Sequence, residues 1–484
     1  MKKVKINNIK LNALLNTVYT LVNMIFPLIT YPYISRVLSA SGLGRVNFFT
    51  SVANYAILFA SLGLGTYGIR AVAKVRDNDD ELAKTTKELV VLNGIATLVV
   101  MVIYIALAAM VPRFYNNLPL VIVNGIWIAT TPWGMNWLYS GLEQYSYITK
   151  RTVAFKLISL ILIFFFVKTK SDYLNYAAIL VFANVGAFLC NYLNAKKFIK
   201  PYAGKLSLRK HLRPTITLFA SALAVSVYTN LDMIMLGFIR DDYQVGLYTI
   251  AVKAQTVLLA LVNALSTVLL PRLSFYISEQ RYDEFNIILK KSMSVIFIIT
   301  LSLTTFFILT AQNCVYILGG KSFEKATLSM QILMPILIIS GFSNITGNQI
   351  LIPQGKDSSF MHAVVSGSVV AFILNLILMK PLGAIGGSIA TLLAEMVQMS
   401  VQLYYARVEV LNNFQFKPIA KTLLSLIVAV IVTTVVTPFI HLNAFFVFSL
   451  QGAIFFLVEL LMLFVVKEKY VVDTFEGIIG SRFK

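Results

Sequence analysis

The chain has 484 residues, of which 58% are hydrophobic and only 13% charged. Soluble domains carry about 25% charged residues, so a cytosolic enzyme, a nucleic-acid-binding domain, a secreted disulfide scaffold and a disordered tail are all excluded. Forty-one Lys and Arg against 21 Asp and Glu leave a net charge of +20. The basic residues gather in short loops between apolar stretches, so the excess reads as the positive-inside bias of an all-α, polytopic membrane protein.

The basic start, Met1-Lys2-Lys3-Val4-Lys5, leads into an apolar stretch at 11–35. That stretch is too long for a signal-peptide core and reads as a first membrane span. A hydrocarbon core about 30 Å thick needs roughly 20 apolar residues per helix. That length predicts fourteen spans: 11–35, 45–68, 88–111, 118–140, 152–168, 174–194, 214–238, 245–270, 288–310, 326–350, 361–379, 383–404, 418–440 and 443–466. An even number puts both termini on one side. Thirty Lys and Arg fall in segments 2–10, 70–87, 150–151, 196–213, 272–291, 356, 407–421 and 467–484, against nine in the alternating loops. This asymmetry predicts N-in and C-in.

The most basic segment, Lys196 to Arg213, lies between spans six and seven and reads as a connector on the inner face, drawn to anionic lipid. Two patterns recur across it. Ser41-Gly42-Leu43-Gly44 opens span two, and Gln244-Val245-Gly246-Leu247 opens span eight. Ser140-Gly141-Leu142-Glu143 closes span four, and Pro353-Gln354-Gly355-Lys356 follows span ten. The plan expected is a six-helix lobe at 1–200, a basic connector at 201–213, a second six-helix lobe at 214–404, and two extra helices with a tail at 405–484. Six is even, so the repeats are parallel, related by an axis along the membrane normal.

Several runs then resemble a known family, in order along nearly the whole chain. They are Tyr31-Pro32-Tyr33-Ile34-Ser35-Arg36-Val37-Leu38 with Gly42 and Gly44, and Leu64-Gly65-Thr66-Tyr67-Gly68-Ile69-Arg70. Asn230-Leu231-Asp232, Val245-Gly246-Leu247-Tyr248 through Lys253, and Gly383-Ala384-Ile385-Gly386-Gly387 complete the set. Together they resemble the polysaccharide (lipid-linked oligosaccharide) flippases of the multidrug/oligosaccharidyl-lipid/polysaccharide exporter superfamily. The resemblance implies a V-shaped, two-lobed transporter in the bacterial cytoplasmic membrane that works by alternating access. Its cargo would be an undecaprenyl-pyrophosphate-linked oligosaccharide, carried from the inner to the outer leaflet for capsule, O-antigen-like or teichoic polymers. Its partners would be that lipid, the membrane lipids, and the polymerase and glycosyltransferases of the same pathway. In the related peptidoglycan-precursor flippases a basic residue of the eighth span helps form a cationic cavity, and Lys253 falls at the matching place. No Arg lies inside span one, so the other cavity cations are not carried over.

Moving a pyrophosphate through hydrocarbon calls for a water-filled cavity lined by cations and hydroxyls. Thr249, Lys253, Thr256, Asn263 and Thr267 share one helix face; so do Asn12, Asn16, Tyr19 and Asn23, and so do Asn47, Ser51 and Asn54. These stripes either line a cavity or join helices by hydrogen bonds. Lys253 either binds the pyrophosphate or snorkels to the interface. Arg36, Arg45 and Lys156 are the further cationic candidates. Asp232 in span seven either pairs with Lys253 or takes up Na⁺ or H⁺ for coupling, with Glu395 the next acidic candidate and Glu459 expected at the periphery. Trp127 and Trp133 are placed to stack on sugar rings, while Trp137 suits an aromatic belt. Pro27, Pro132 and Pro335 would loosen spans one, four and ten. Cys190 and Cys314 make neither a disulfide framework nor a metal spacing, and His211, His362 and His441 lack ligand spacing. There is no phosphate-binding P-loop and no nucleophile elbow. The reading is therefore a transporter rather than an enzyme, with no cofactor beyond a coupling ion. Its rival is a cation-coupled small-molecule exporter of the multidrug type.

Overall fold

The computed structural model describes residues 9–439 and 442–473, without the side chains of 9–14, 16, 21, 24–25, 221, 224–225, 227–230, 265, 267 and 439. Among the described residues every regular element is helical, as expected of a chain whose backbone polar groups must be satisfied within each span. Eleven helices are long and apolar enough to cross a membrane. The chain divides into two compact units, 1–237 and 238–484. The division falls near the end of the seventh-span helix, beyond the basic connector.

In the first unit, α1 (Ile9–Ser61) carries the first two expected spans in one helix, bent at Ser39 (φ 61°, ψ 176°) rather than at Pro27. It stops at Leu62 and Gly63, both in the left-handed region, and α2 (Leu64–Val75) follows as a separate short helix. Thus the second expected span, 45–68, is broken near its end. Asn78 caps α3 (Asp79–Met110) by accepting from the N–H groups of Asp80 and Glu81. Leu98, Val99, Val102 and Ile103 present an apolar exposed face on α3, the side a span turns to lipid. Then come α4 (Pro112–Tyr115), α5 (Leu118–Ala129) and α6 (Asn136–Gly141). Span four is therefore not one helix: the Thr131–Trp133 turn, containing Pro132, and the left-handed Met135 separate α5 from α6. The expected fifth and seventh spans are the helices α7 (Tyr145–Phe166) and α9 (Arg209–Ile239), neither among the eleven; between them lies α8 (Tyr173–Ala195). Leu64, Val72, Leu89, Trp137, Leu138 and Tyr139 pack α2, α3 and α6 into one core.

The second unit runs through α10 (Asp242–Ser278), α11 (Tyr282–Leu309), α12 (Ala311–Leu318), α13 (Ala326–Leu333) and α14 (Ile336–Asn344). Span ten breaks at Met334-Pro335 and ends in a π-helical segment, Ile345–Leu351. There follow α15 (Asp357–Leu382), α16 (Ala384–Asn413), α17 (Phe416–Val436) and α18 (Ala444–Val465). Phe306, Leu426, Ala429 and Phe455 pack the last two helices onto α11.

Candidate functional site

In the first unit the break in span four is held by a buried cation. Arg151 on α7 is 8% exposed. It donates to the side-chain oxygens of Asn191 and Asn136, the latter at 3.2 Å, and lies 5.9 Å from the ring centre of Tyr147. Asn191, fully buried, donates in turn to the Gly134 carbonyl and to Asn136. Among the described residues no carboxylate pairs with Arg151. A lone buried cation is costly, and here polar amides and an aromatic face take the place of a counter-charge. The sequence reading missed Arg151 because, next to Lys150, it looks like one more loop cation.

A second buried group lies in the third turn of α3. The Glu88 carboxylate is fully buried and accepts from Lys210 Nζ at 2.8 Å, His211 Nε2 at 2.9 Å and the Ser207 N–H at 2.7 Å. His211 Nδ1 is 2.7 Å from the Tyr67 hydroxyl. With Glu88 ionised, Nε2 carries the donated proton, and a neutral ring then accepts from Tyr67. Lys87 Nζ donates to the Tyr202 carbonyl at 2.6 Å. The basic connector is thus tied to α2 and α3 by side chains far apart in sequence.

The expected cations are engaged within their own unit. Arg36 is exposed and donates to the Pro32 carbonyl. Arg45 lies 5.1 Å from the Tyr173 ring centre, and Lys156 Nζ 4.4 Å from that of Phe26. Asn47 accepts from the Tyr31 hydroxyl at 3.4 Å and leaves its N–H₂ unpartnered. Ser51 is buried and contacts Met233 Sδ at 3.6 Å, and Asn54 is exposed. Asn23 donates to the Tyr19 carbonyl at 2.8 Å. The side chains of Asn12, Asn16, Thr229, Asn230 and Thr267 lie outside the described residues. Asp232 is buried, 6% exposed, next to Met233 on α9. Trp127 is half-buried with its indole N–H unpartnered, and Trp133 is exposed against Tyr192. Trp137 is not part of a belt: it is 6% exposed and packed over Gly68, because α6 turns it toward the α2–α3 core.

In the second unit Lys253 is half-buried on α10. Its stripe is split: Thr249 is buried and Thr256 exposed, and each hydroxyl donates to its own helix, to the Val245 and Val252 carbonyls at 2.7 Å. Asn263 is exposed and accepts from Asn344. Tyr248 meets Thr391 at 3.0 Å, tying α10 to α16, where Glu395 is buried one turn further on. Glu459 departs from the expectation of a peripheral residue. It is 4% exposed and accepts from Ser302, a contact that depends on α18 packing against α11. The π-helical end of span ten, also missed, is clasped from α16: Gln402 accepts from Ser343 at 2.7 Å and Thr346 at 2.8 Å. Gln349 donates to Ser266 at 2.9 Å. Among the described residues no group of three or more His, Cys, Asp or Glu is placed to hold a metal.

Long apolar helices define a multi-pass membrane protein, and ionisable groups lie buried within its fold. The fold is similar to that of a lipid II flippase, MurJ, in an inward closed conformation (TM-score 0.76, 14% identity, 94% of this chain and 99% of that one). It is also similar, at TM-score 0.58 and 15% identity, to an inward-facing multidrug resistance MATE family transporter of the MOP superfamily, over 82% of this chain and 95% of the other. The polysaccharide biosynthesis protein family model matches residues 9–277, and the chain belongs to that family. The "Putative O-antigen transporter" of Escherichia coli (strain K12) is 24% identical over 83% of this chain and 98% of its own length. That of Shigella dysenteriae is 25% identical over 78% and 94%.

Proposed function

We propose that this chain flips an undecaprenyl-diphosphate-linked oligosaccharide from the inner to the outer leaflet of the bacterial cytoplasmic membrane, with both termini inside. The family, the relatives named as O-antigen transporters and the fold shared with a lipid II flippase support it. The observation that carries the reading is a set of ionisable groups buried or half-buried on long helices. Asp232 and Glu395 are 6% and 7% exposed, and Lys253 is half-buried. Hydrocarbon tolerates such groups where they serve a polar path.

In this mechanism the protein alternates access to a polar path across the membrane. Lys253 supplies a point charge to the diphosphate, and Asn47 and Trp127 are the polar and aromatic side chains assigned to the sugars. Arg36, Arg45 and Lys156 keep the positive potential of the path. Asp232 and Glu395 serve coupling, because a carboxylate would repel the diphosphate and its Na⁺ or H⁺ occupancy can differ between the two states. A cation-coupled exporter of the multidrug type shares the fold at the lower TM-score. The test is depletion of the protein in its host. Lipid-linked repeat units should accumulate on the inner leaflet while surface polymer falls, and unchanged polymer with no accumulation would overturn the proposal.

A further inference from the structure

Within the first unit, α2 and the first turns of α9 enclose a groove of about 480 Å³ whose lining includes Tyr67, Arg70, Lys74, Arg213 and Leu218. Amphipathic α2 buries Leu64, Gly68 and Val72 and leaves Arg70 and Lys74 exposed, one helical turn apart. Arg213 faces them from α9. Nearby cations are neutralised, Arg76 by Glu143 and Lys210 by Glu88. Among the described residues no carboxylate pairs with Arg70, Lys74 or Arg213. Three uncompensated cations therefore converge beside an apolar floor.

The spacing of the walls is built in. At Gly63 (φ 74°) a Cβ would lie 2.5 Å from the Thr215 carbonyl oxygen and 2.6 Å from the Phe219 nitrogen, so only glycine lets α2 begin this close to α9. At Gly68 a Cβ would meet Trp137 at 2.7 Å. The Tyr67–His211 hydrogen bond, with Glu88 behind it, then joins one wall to the other.

We propose that this groove captures the diphosphate of the lipid-linked glycan before it is flipped, on the face where the Lys and Arg distribution puts the cytoplasm. The inference rests on the flippase reading and adds to it a loading site separate from Lys253. Two guanidinium forks and an ammonium suit a diphosphate's oxygens, and Leu218 lies where the first isoprene units would rest. Three unpaired cations exceed the charge of an ordinary phospholipid phosphodiester, so a diphosphate is the better match.

The test uses the purified full chain in nanodiscs, with undecaprenyl diphosphate as the probe and phosphatidylglycerol as competitor, read by native mass spectrometry. The triple variant Arg70→Gln, Lys74→Gln, Arg213→Gln should bind the probe about tenfold or more weakly, the equivalent of one charge-assisted hydrogen bond. The pair Lys290→Gln, Lys291→Gln, which removes charge from the second unit, should bind it as the wild type does. Arg213→Gln alone should show a smaller loss, in case the triple variant folds poorly. In proteoliposomes the triple variant should need more lipid for half-maximal flipping while keeping its maximal rate. Equal probe binding by wild type and triple variant would overturn the groove and leave the flippase reading standing. So would displacement of the probe by phosphatidylglycerol at equal concentration. A wild-type chain that flips no diphosphate lipid would overturn the flippase reading, and this inference with it.

Discussion

Replacing Glu88 tests whether the connector is held by a buried carboxylate. In Glu88→Gln the oxygen facing the Ser207 N–H is kept, and the oxygen shared by Lys210 and His211 becomes an N–H₂ donor facing two donors. The Lys210 side chain is 43% exposed and turns to water, so its loss costs only about 0–1 kcal/mol. His211 is 3% exposed, and leaving a buried ring nitrogen unmatched costs about 1–3 kcal/mol. A tautomer change relieves part of this: Nε2 can accept from the new amide while Nδ1 donates to Tyr67. The total for Glu88→Gln is therefore roughly 1–3 kcal/mol, toward the low end. Glu88→Leu also strands the Ser207 N–H and should lie at or above the high end. The assay is limited trypsin digestion in detergent at Lys205, two residues before Ser207. Where opening is fast relative to cleavage, 1–3 kcal/mol raises the nicking rate roughly fivefold to more than a hundredfold. The order should be wild type, then the amide variant, then the leucine variant. If both variants are nicked at the wild-type rate, Glu88 does not hold the connector and the argument fails.

Lys253→Ala should abolish or severely impair polymer export at normal protein level while Lys253→Arg keeps part of it; wild-type export from the Ala variant would mean that the lysine only snorkels. Asp232→Asn, nearly isosteric, should leave lipid-linked sugar binding almost intact, slow its appearance on the outer face and flatten the dependence on an ion gradient, whereas an unchanged rate and gradient response would move coupling to Glu395. Outside the spans, the Lys168 and Thr169 N–H groups donate to Asp172 and hold its carboxyl below the usual range. A lowered folded pKa means that the loop's added stability is present at neutral pH and lost as pH falls through the acid range. Amide exchange at Lys168 and Thr169, corrected for intrinsic rates, should therefore lose protection in acid, and Asp172→Asn should remove that pH dependence.

Hydropathy alone marked the stretches that form long helices, eleven of them long and apolar enough to cross a membrane, because a medium without water demands a continuous apolar helix whatever lies beside it. Local chemistry also marked two of the breaks: Pro132 and Pro335 lie where spans four and ten are interrupted. The bend at Ser39 and the stop at Leu62-Gly63 have no proline to mark them. Periodicity shows which residues share a face but not what that face meets. Thr249 and Thr256 look like one polar stripe, yet their hydroxyls return to their own backbone. Trp137 and Glu459 resemble interfacial residues until α6 and α18 turn them inward. The remaining decisions needed partners distant in the chain: Glu88 with His211, Arg151 with Asn191, Gln402 with Ser343 and Thr346. An isolated Glu, Arg or Gln in an apolar segment signals only a cost. Tertiary packing alone decides which neighbour meets that cost, since the energy belongs to the contact and not to either residue.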